Sequence, residues 1–237
     1  MCGFTIFVTR KNNFKNIKFN REILDHRGPD FFGSIKYKNI IFNHWRLSIV
    51  DHSKNSNQPL ENNNYIFAYN GEIYDYLELS KQNNLSKFNK SDTKFLFNLL
   101  CKKNNLNSIK NYSGFYSYAY LNKNKNHITF SRDFLGKKPL FYYKDKDIFL
   151  ISSEEKGIYN YIKKEIDKKS IFEYFFYKNI FFDKTFFKNI KTVAPGAKLQ
   201  FNINKWILYN SKSWTKYYNE KLFKNKNIKK FNNLFGK

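Results

Sequence analysis

Period-two alternation dominates the first two thirds of the chain, carried by aromatic and β-branched residues. Tyr65-Ile66-Phe67-Ala68-Tyr69, Phe115-Tyr116-Ser117-Tyr118-Ala119-Tyr120 and Ile148-Phe149-Leu150-Ile151 therefore predict strands. The period lengthens between Asp92 and Cys101. Phe95, Leu96, Leu99 and Leu100 recur there at helical spacing behind Ser91 and Asp92, two good N-cap types. A second helix is expected to start at Ser170, where Ser170 and Glu173 have the spacing of a capping box ahead of an aromatic run. Strands and helices mix without regular alternation or an internal repeat, which points to an α+β fold with largely antiparallel sheets.

The four prolines all sit in compact turn words: His26-Arg27-Gly28-Pro29-Asp30, Gln58-Pro59-Leu60, Lys138-Pro139-Leu140 and Ala194-Pro195-Gly196. In a chain otherwise rich in Lys and Asn, these mark places where the backbone requires a rigid turn. After Trp214 the character changes. Residues 215–237 hold seven lysines and one acidic residue with no clear core face, and are expected to be a basic linker or disordered tail behind a domain spanning 1–214.

At 237 residues the chain can bury a full hydrophobic core. No stretch approaches the ~18 apolar residues of a membrane span and no signal pattern is present, so a cytoplasmic protein without a membrane partner is expected. The two cysteines, Cys2 and Cys101, cannot form a disulfide framework and lack metal-ligand spacing. Cys101, ending an apolar helical pattern, is expected to be a buried thiol. His44, His52 and His127 also lack metal-ligand spacing, and no metal is expected.

The formal charge of +24 invites a nucleic-acid reading. Yet only Arg10, Arg21, Arg27, Arg46 and Arg132 are arginines, the type that supplies the bidentate fork used on bases. The lysines are instead scattered among asparagines, as in Asn122-Lys123-Asn124-Lys125-Asn126, a compositional drift of the whole chain; no nucleic-acid partner is expected.

Chemistry enters at Met1-Cys2-Gly3-Phe4. Removal of the initiator methionine would leave a thiol and a free α-amine on one residue, with ordinary pKa values near ~8.5 and roughly 7.7–8.0, so each changes protonation state close to neutrality. Further words follow: His44-Trp45-Arg46-Leu47-Ser48-Ile49-Val50-Asp51, Asn70-Gly71-Glu72-Ile73-Tyr74, Ser91-Asp92-Thr93, and Arg132-Asp133-Phe134-Leu135-Gly136-Lys137-Lys138-Pro139-Leu140. In this set and order they resemble the glutaminase domain of glutamine-hydrolysing asparagine synthetases, a class II amidotransferase with an N-terminal nucleophile. The similarity also takes in His26 to Asp30, Gln58-Pro59, Ser153-Glu154-Glu155-Lys156, Thr185 to Ile190 and Pro195-Gly196, ending near Trp214. His-Arg-Gly-Pro-Asp and Arg-Leu-Ser-Ile-Val-Asp resemble this branch more than the phosphoribosyl-pyrophosphate or fructose-phosphate amidotransferases.

The resemblance implies a four-layer αββα sandwich of the N-terminal nucleophile hydrolase type. It implies that Cys2 attacks the carboxamide of L-glutamine, that the Asn70 side chain and Gly71 N–H form the oxyanion hole, and that Arg46 holds the α-carboxylate. Asp92, helped by Glu72 and the backbone of Ile49 and Val50, would hold the α-ammonium. Arg132-Asp133 and Lys138-Pro139-Leu140 are expected to brace a strand connection, and His26 to Asp30 to close a turn near the pocket, none of them with a chemical role. No cofactor is implied for such a domain; ATP and Mg belong to the family's synthetase part, whose Ser-Gly-Gly-x-Asp-Ser-Ser loop has no counterpart here.

Two departures stand out: Lys94 follows Ser91-Asp92-Thr93 where the family usually has an acidic residue, and no synthetase part is expected within these 237 residues. Glutamine hydrolysis is then the reaction this chain could perform alone, with a separate synthetase subunit as a candidate ammonia acceptor. The alternatives are a truncated relic, a glutaminase serving a sugar acceptor, and a non-catalytic interaction module that keeps the fold.

Overall fold

The computed structural model describes residues 1–10, 20–49, 51–85 and 91–211. The expected tail at 215–237, and Val50, lie outside them. In chain order the strands are β1 (Gly3–Thr9), β2 (Phe31–Tyr37), β3 (Ile40–Arg46), β4 (Leu60–Glu61), β5 (Tyr65–Ile73), β6 (Gly114–Asn122), β7 (His127–Arg132), β8 (Phe141–Lys144), β9 (Ile148–Ser152), β10 (Lys191–Thr192), β11 (Lys198–Asn202) and β12 (Ile207–Ser211). The α-helices are α1 (Tyr76–Gln82), α2 (Asp92–Lys103), α3 (Lys156–Tyr159) and α4 (Lys168–Tyr177).

Two six-stranded sheets form, ordered β10-β8-β9-β1-β3-β2 and β12-β11-β7-β6-β5-β4. Every strand pair in them is antiparallel. The pleat explains how they stack. On β5, Ile66 and Ala68 enter the core between the sheets, while Tyr65, Phe67 and Tyr69 pack on the other side against α2. On β6, Ala119 and Leu121 face the inter-sheet core and Tyr116, Tyr118 and Tyr120 face the helix. On β1, Phe4, Ile6 and Val8 point inward, and Phe7 meets Leu150, Ile158 and Ile190 outside. Because successive side chains alternate, each central strand serves two cores at once, and both sheets are covered on both faces. The architecture is a four-layer αββα sandwich, as the resemblance implied. Its layer over the first sheet is thin: α3, a 3-10 turn at Arg21–Arg27 and loops.

Two sequence expectations need adjustment, and a third is met. The second long helix does not start at Ser170. Asp167 is its N-cap, accepting from Lys169 N (3.1 Å) and from the Ser170 hydroxyl (2.9 Å), while Glu173 pairs with Lys184. A carboxylate one turn earlier outcompetes the hydroxyl for the free N–H groups and suits the positive helix end. Cys101 is half-buried, and its sulfur accepts from Asn62 Nδ2 at 3.0 Å. The Arg132-Asp133 word is a brace as expected. Arg132 donates to the carbonyls of Gly136, Lys138 and Val193, and Asp133 accepts from the N–H groups of Leu135, Lys137 and Lys138.

Candidate active site

The inward rows of three strands end in polar side chains at the same edge of the sandwich. Along β1 the row Val8, Ile6, Phe4 runs out to Cys2; along β3, Ile40 and Phe42 lead to His44 and Arg46; along β5, Ile66 and Ala68 lead to Asn70. Gly3 lies opposite Trp45, which sets the ends of β1 and β3 side by side, and Asn70 reaches the Cys2 carbonyl across the sandwich, so these ends meet at one pocket. The pocket there holds ≈ 610 Å³ with its mouth. Cys2, Arg46, Ile49, Asn70, Gly71, Glu72 and Asp92 all line it, so every described residue assigned to glutamine from sequence reaches one cavity.

Cys2 is anchored from several directions. Its sulfur accepts from Leu47 N (3.3 Å) and lies 3.4 Å from Leu47 O, and its carbonyl accepts from Arg27 Nε (2.9 Å). Reciprocal bonds of 3.0 Å between Phe4 and Ser153 fix the strand just beyond. Burial pushes the Cys2 thiol up, against the Leu47 N–H and the positive charges of the amino terminus and Arg46. Burial also lowers the Met1 amine. A thiol raised in this way needs a base to ionise at neutral pH.

Arg27 is the residue that sequence reasoning missed. Only 6% exposed, it donates to the Cys2 carbonyl and, from Nη1, to Glu154 Oε1 at 2.9 Å. With its amide oxygen toward this guanidinium, Asn70 accepts from Arg27 Nη2 (3.2 Å) and donates from Nδ2 to the Cys2 carbonyl (3.1 Å), the orientation that satisfies both groups. One arginine thus fixes the nucleophile's residue and the expected oxyanion donor together. Gly3 admits it, since a Cβ there would come 3.0 Å from Arg27 Cδ. Burial works against charge on Glu154, but bonds from Arg27 and His26 win and hold its carboxyl below the usual range. The His26-Arg27-Gly28-Pro29-Asp30 word carried the signal, read from sequence as a turn alone.

Arg46 is also buried. Nη1 donates to Ser53 O (2.7 Å) and Asn57 Oδ1 (2.6 Å), and Nη2 to the Asp51 carbonyl, which pins the loop after β3; Nε has no partner among the described residues. Asp92, first residue of α2 behind the Ser91 cap, accepts from Tyr69 Oη (2.8 Å), Ile73 N (3.1 Å) and Thr93 N (2.7 Å). Burial still pushes its carboxyl up, because those donors replace water incompletely. Gly71 needs to be glycine for a reason outside the pocket: a Cβ would collide with the Phe115 carbonyl and lie 2.7 Å from Tyr116 Cα on β6. Ile49 is 63% exposed at the mouth, and Glu72 is half-buried.

Tyr69 was also unforeseen. Its main chain is clamped by Gln58, which accepts from Tyr69 N (2.7 Å) and donates to Tyr69 O (3.1 Å), and by His44 Nε2 at 2.9 Å from the same carbonyl. Burial lowers the His44 pKa to about 4, and Nδ1 has no partner among the described residues. Among the described residues, no three His, Cys, Asp or Glu side chains cluster as a metal site, and no helix is long and apolar enough to cross a membrane.

Residues 1–217 match the glutamine amidotransferase domain family. Among curated proteins, the chain is 34% identical over 191 residues to a putative glutamine-hydrolysing asparagine synthetase 2 of Methanocaldococcus jannaschii, covering 71% of this chain and 36% of that protein. It is 31% identical over 213 residues to asparagine synthetase 1 of Bacillus subtilis, covering 84% and 33%. The chain therefore spans about a third of the length of the curated relatives it matches. Among solved structures, a glutamine phosphoribosylpyrophosphate amidotransferase from B. subtilis, bound to ADP and GMP, superposes with a TM-score of 0.63 at 17% identity over 89% of this chain and 49% of that one. That likeness is one of fold.

Proposed function

The chain belongs to the glutamine amidotransferase domain family, and on that premise we propose that it hydrolyses L-glutamine to L-glutamate and ammonia through a thioester on Cys2. The observation that carries this reading is the convergence of Cys2, Arg46, Asn70 and Asp92 on one pocket from four separate segments.

Removal of Met1 frees the Cys2 amine, which, directly or through a water, takes the thiol proton as Sγ attacks the carboxamide carbon. The carbonyl π electrons move to oxygen. Asn70 Nδ2 has one hydrogen on the Cys2 carbonyl and a second left for this oxyanion, alongside Gly71 N–H. Collapse expels the amide nitrogen, which leaves as ammonia after receiving the proton held by the amine. Water then adds to the thioester, the amine again moving the proton, and glutamate departs with Sγ restored to the thiol.

Substrate orientation follows from charge. Arg46 Nε–H and the Nη2 hydrogen not spent on Asp51 form a side-on pair suited to the α-carboxylate, and the loop contacts of the remaining donors hold the fork in place. Asp92, with Glu72 and the backbone of Ile49 and Val50, receives the α-ammonium. An arriving cation offsets the burial that raises Asp92, so substrate and carboxylate stabilise each other's charge.

The ammonia acceptor lies beyond this pocket. Relatives named for asparagine synthesis are more than twice as long, and we assign the ATP-dependent step to a synthetase part of that type. The test is glutamate release by purified protein. Cys2→Ala is expected to abolish it and Asn70→Ala to lower turnover by roughly 10²–10³-fold with little change in KM. Unchanged turnover in Cys2→Ala would sink the proposal.

A further inference from the structure

Away from the pocket, α4 and the turn after it present a plate of aromatic rings to solvent. Phe172, Phe175, Phe176 and Tyr177 are 64%, 70%, 67% and 66% exposed, and Phe182 is 87% exposed. Phe172 packs tilted against Phe176 at 4.6 Å, Phe176 neighbours Tyr177 at 6.5 Å, and Tyr177 meets Phe181 edge-on at 5.4 Å, so the rings form a continuous surface. The helix beneath is firmly seated. Asp167 caps it and pairs through its backbone with Phe186 O (2.8 Å), Glu173 pairs with Lys184, and Tyr174 packs edge-on against Phe186 at 5.4 Å. A contiguous apolar face of this kind on a well-anchored helix marks an interaction surface.

Its rim identifies the chemistry of the occupant. The acidic residues of the segment are already engaged: Glu165 with Lys188 at 4.0 Å, Asp183 with Lys191 at 3.6 Å, Glu173 with Lys184, and Asp167 at the helix cap. Lys168, Lys169 and Lys178, at the two ends of α4, have no ion-pair partner among the described residues. The face is thus apolar at its centre and positive at its edge. A second copy of the chain would bring the same lysines against it, and residues 212–237 would bring eight lysines with a single Glu220. Both are disfavoured by like charge. The curated relatives supply a third occupant. The matched region is only 36% and 33% of their lengths, so in those proteins this kind of domain sits in one polypeptide with a much larger part.

We propose that α4 and the turn through Phe182 are the docking face for the synthetase part of an asparagine-synthetase-type enzyme, through an apolar patch on that part rimmed by carboxylates. The inference rests on the glutaminase reading above, and its test separates the two. A photoreactive phenylalanine analogue replaces Phe176 in the full chain, the protein is irradiated in lysate of the source cell with anionic phospholipid vesicles present, and cross-linked peptides are identified by mass spectrometry. The same analogue at Asn124, an exposed loop position, is the control.

The expected adduct from position 176 joins a polypeptide of synthetase type, with none from position 124. Introducing Lys168→Glu and Lys169→Glu should lower its yield about tenfold, as loss of complementary charge at an interface rim slows association. Adducts with a second copy, with residues 212–237, with phospholipid or with an unrelated protein, or no adduct at all, would overturn the proposal. Glutamine turnover of each labelled protein is measured in parallel. Turnover without the adduct removes the docking face and leaves the glutaminase; the adduct without turnover does the reverse.

Discussion

Helices α2 and α4 carry the same kind of apolar stripe and meet opposite fates. On α2, Phe95, Leu96, Leu99 and Leu100 are fully buried against the tyrosines of β5 and β6. On α4, Phe172, Phe175, Phe176 and Tyr177 stand in solvent. Both helices are properly capped, by Ser91 and Asp167. What differs is whether the described chain supplies a surface for the stripe. Burial of α2 has a local consequence for chemistry, because it fixes the helix start and so aims Asp92 into the pocket. An apolar stripe signals that a face will be covered, but the partner must come from elsewhere in the fold or from another part.

That contrast can be broken by substitution. Phe95→Ala should cost about 3–5 kcal/mol in chemical denaturation, the range for emptying a well-packed aromatic site, and should weaken glutamine binding as Asp92 loosens. If Phe95→Ala left stability unchanged, α2 would not be the structural support described. Asp92→Asn keeps the shape of that helix start and removes its charge. KM for glutamine should rise roughly 10- to 100-fold, the equivalent of losing one charged hydrogen bond, with kcat nearly preserved.

The clamp behind Asn70 offers a pH test. His44 has a folded pKa of about 4 against an ordinary 6.5, so between those values the unfolded chain takes up a proton that the folded chain refuses. Stability present above pH 6.5 is lost as pH falls through this window, by roughly 2 kcal/mol at pH 4.5, and His44→Gln should flatten that part of the profile relative to the parent protein. Parallel profiles for the two proteins would show that His44 is not a buried neutral ring. At the small end, Phe175→Ala should change stability by less than about 0.5 kcal/mol, as expected for an exposed position, and leave glutamine turnover intact. A loss comparable to that of Phe95→Ala would erase the distinction between the two helices.

Much of this was legible from residue order. Strands β5 and β6 could be read because alternation there serves two different cores, giving Ile66 and Ala68 one destination and Phe67 and Tyr69 another. Helix α2 could be read because Ser91 and the spacing of its four core residues agree. The start of α4 could not, since Ser170 and Glu173 mimic a capping box while Asp167 and Lys184 hold those same side chains. Sheet order was invisible, as it is set by long-range pairing such as β1 with β9. The pocket residues carried their types in sequence, but Arg27 did not reveal its part. Its partners Cys2, Asn70 and Glu154 lie 25, 43 and 127 positions away, and only the stacked sheets bring them within reach of one guanidinium.

The central claim is a covalent one, and intact-protein mass spectrometry of acid-quenched reactions addresses it directly. With saturating glutamine, the protein should be found without Met1 and with a glutamyl thioester on Cys2 that forms and decays in step with glutamate release. Protein that retains Met1, acquires no adduct and releases no glutamate, while remaining folded, would contradict it.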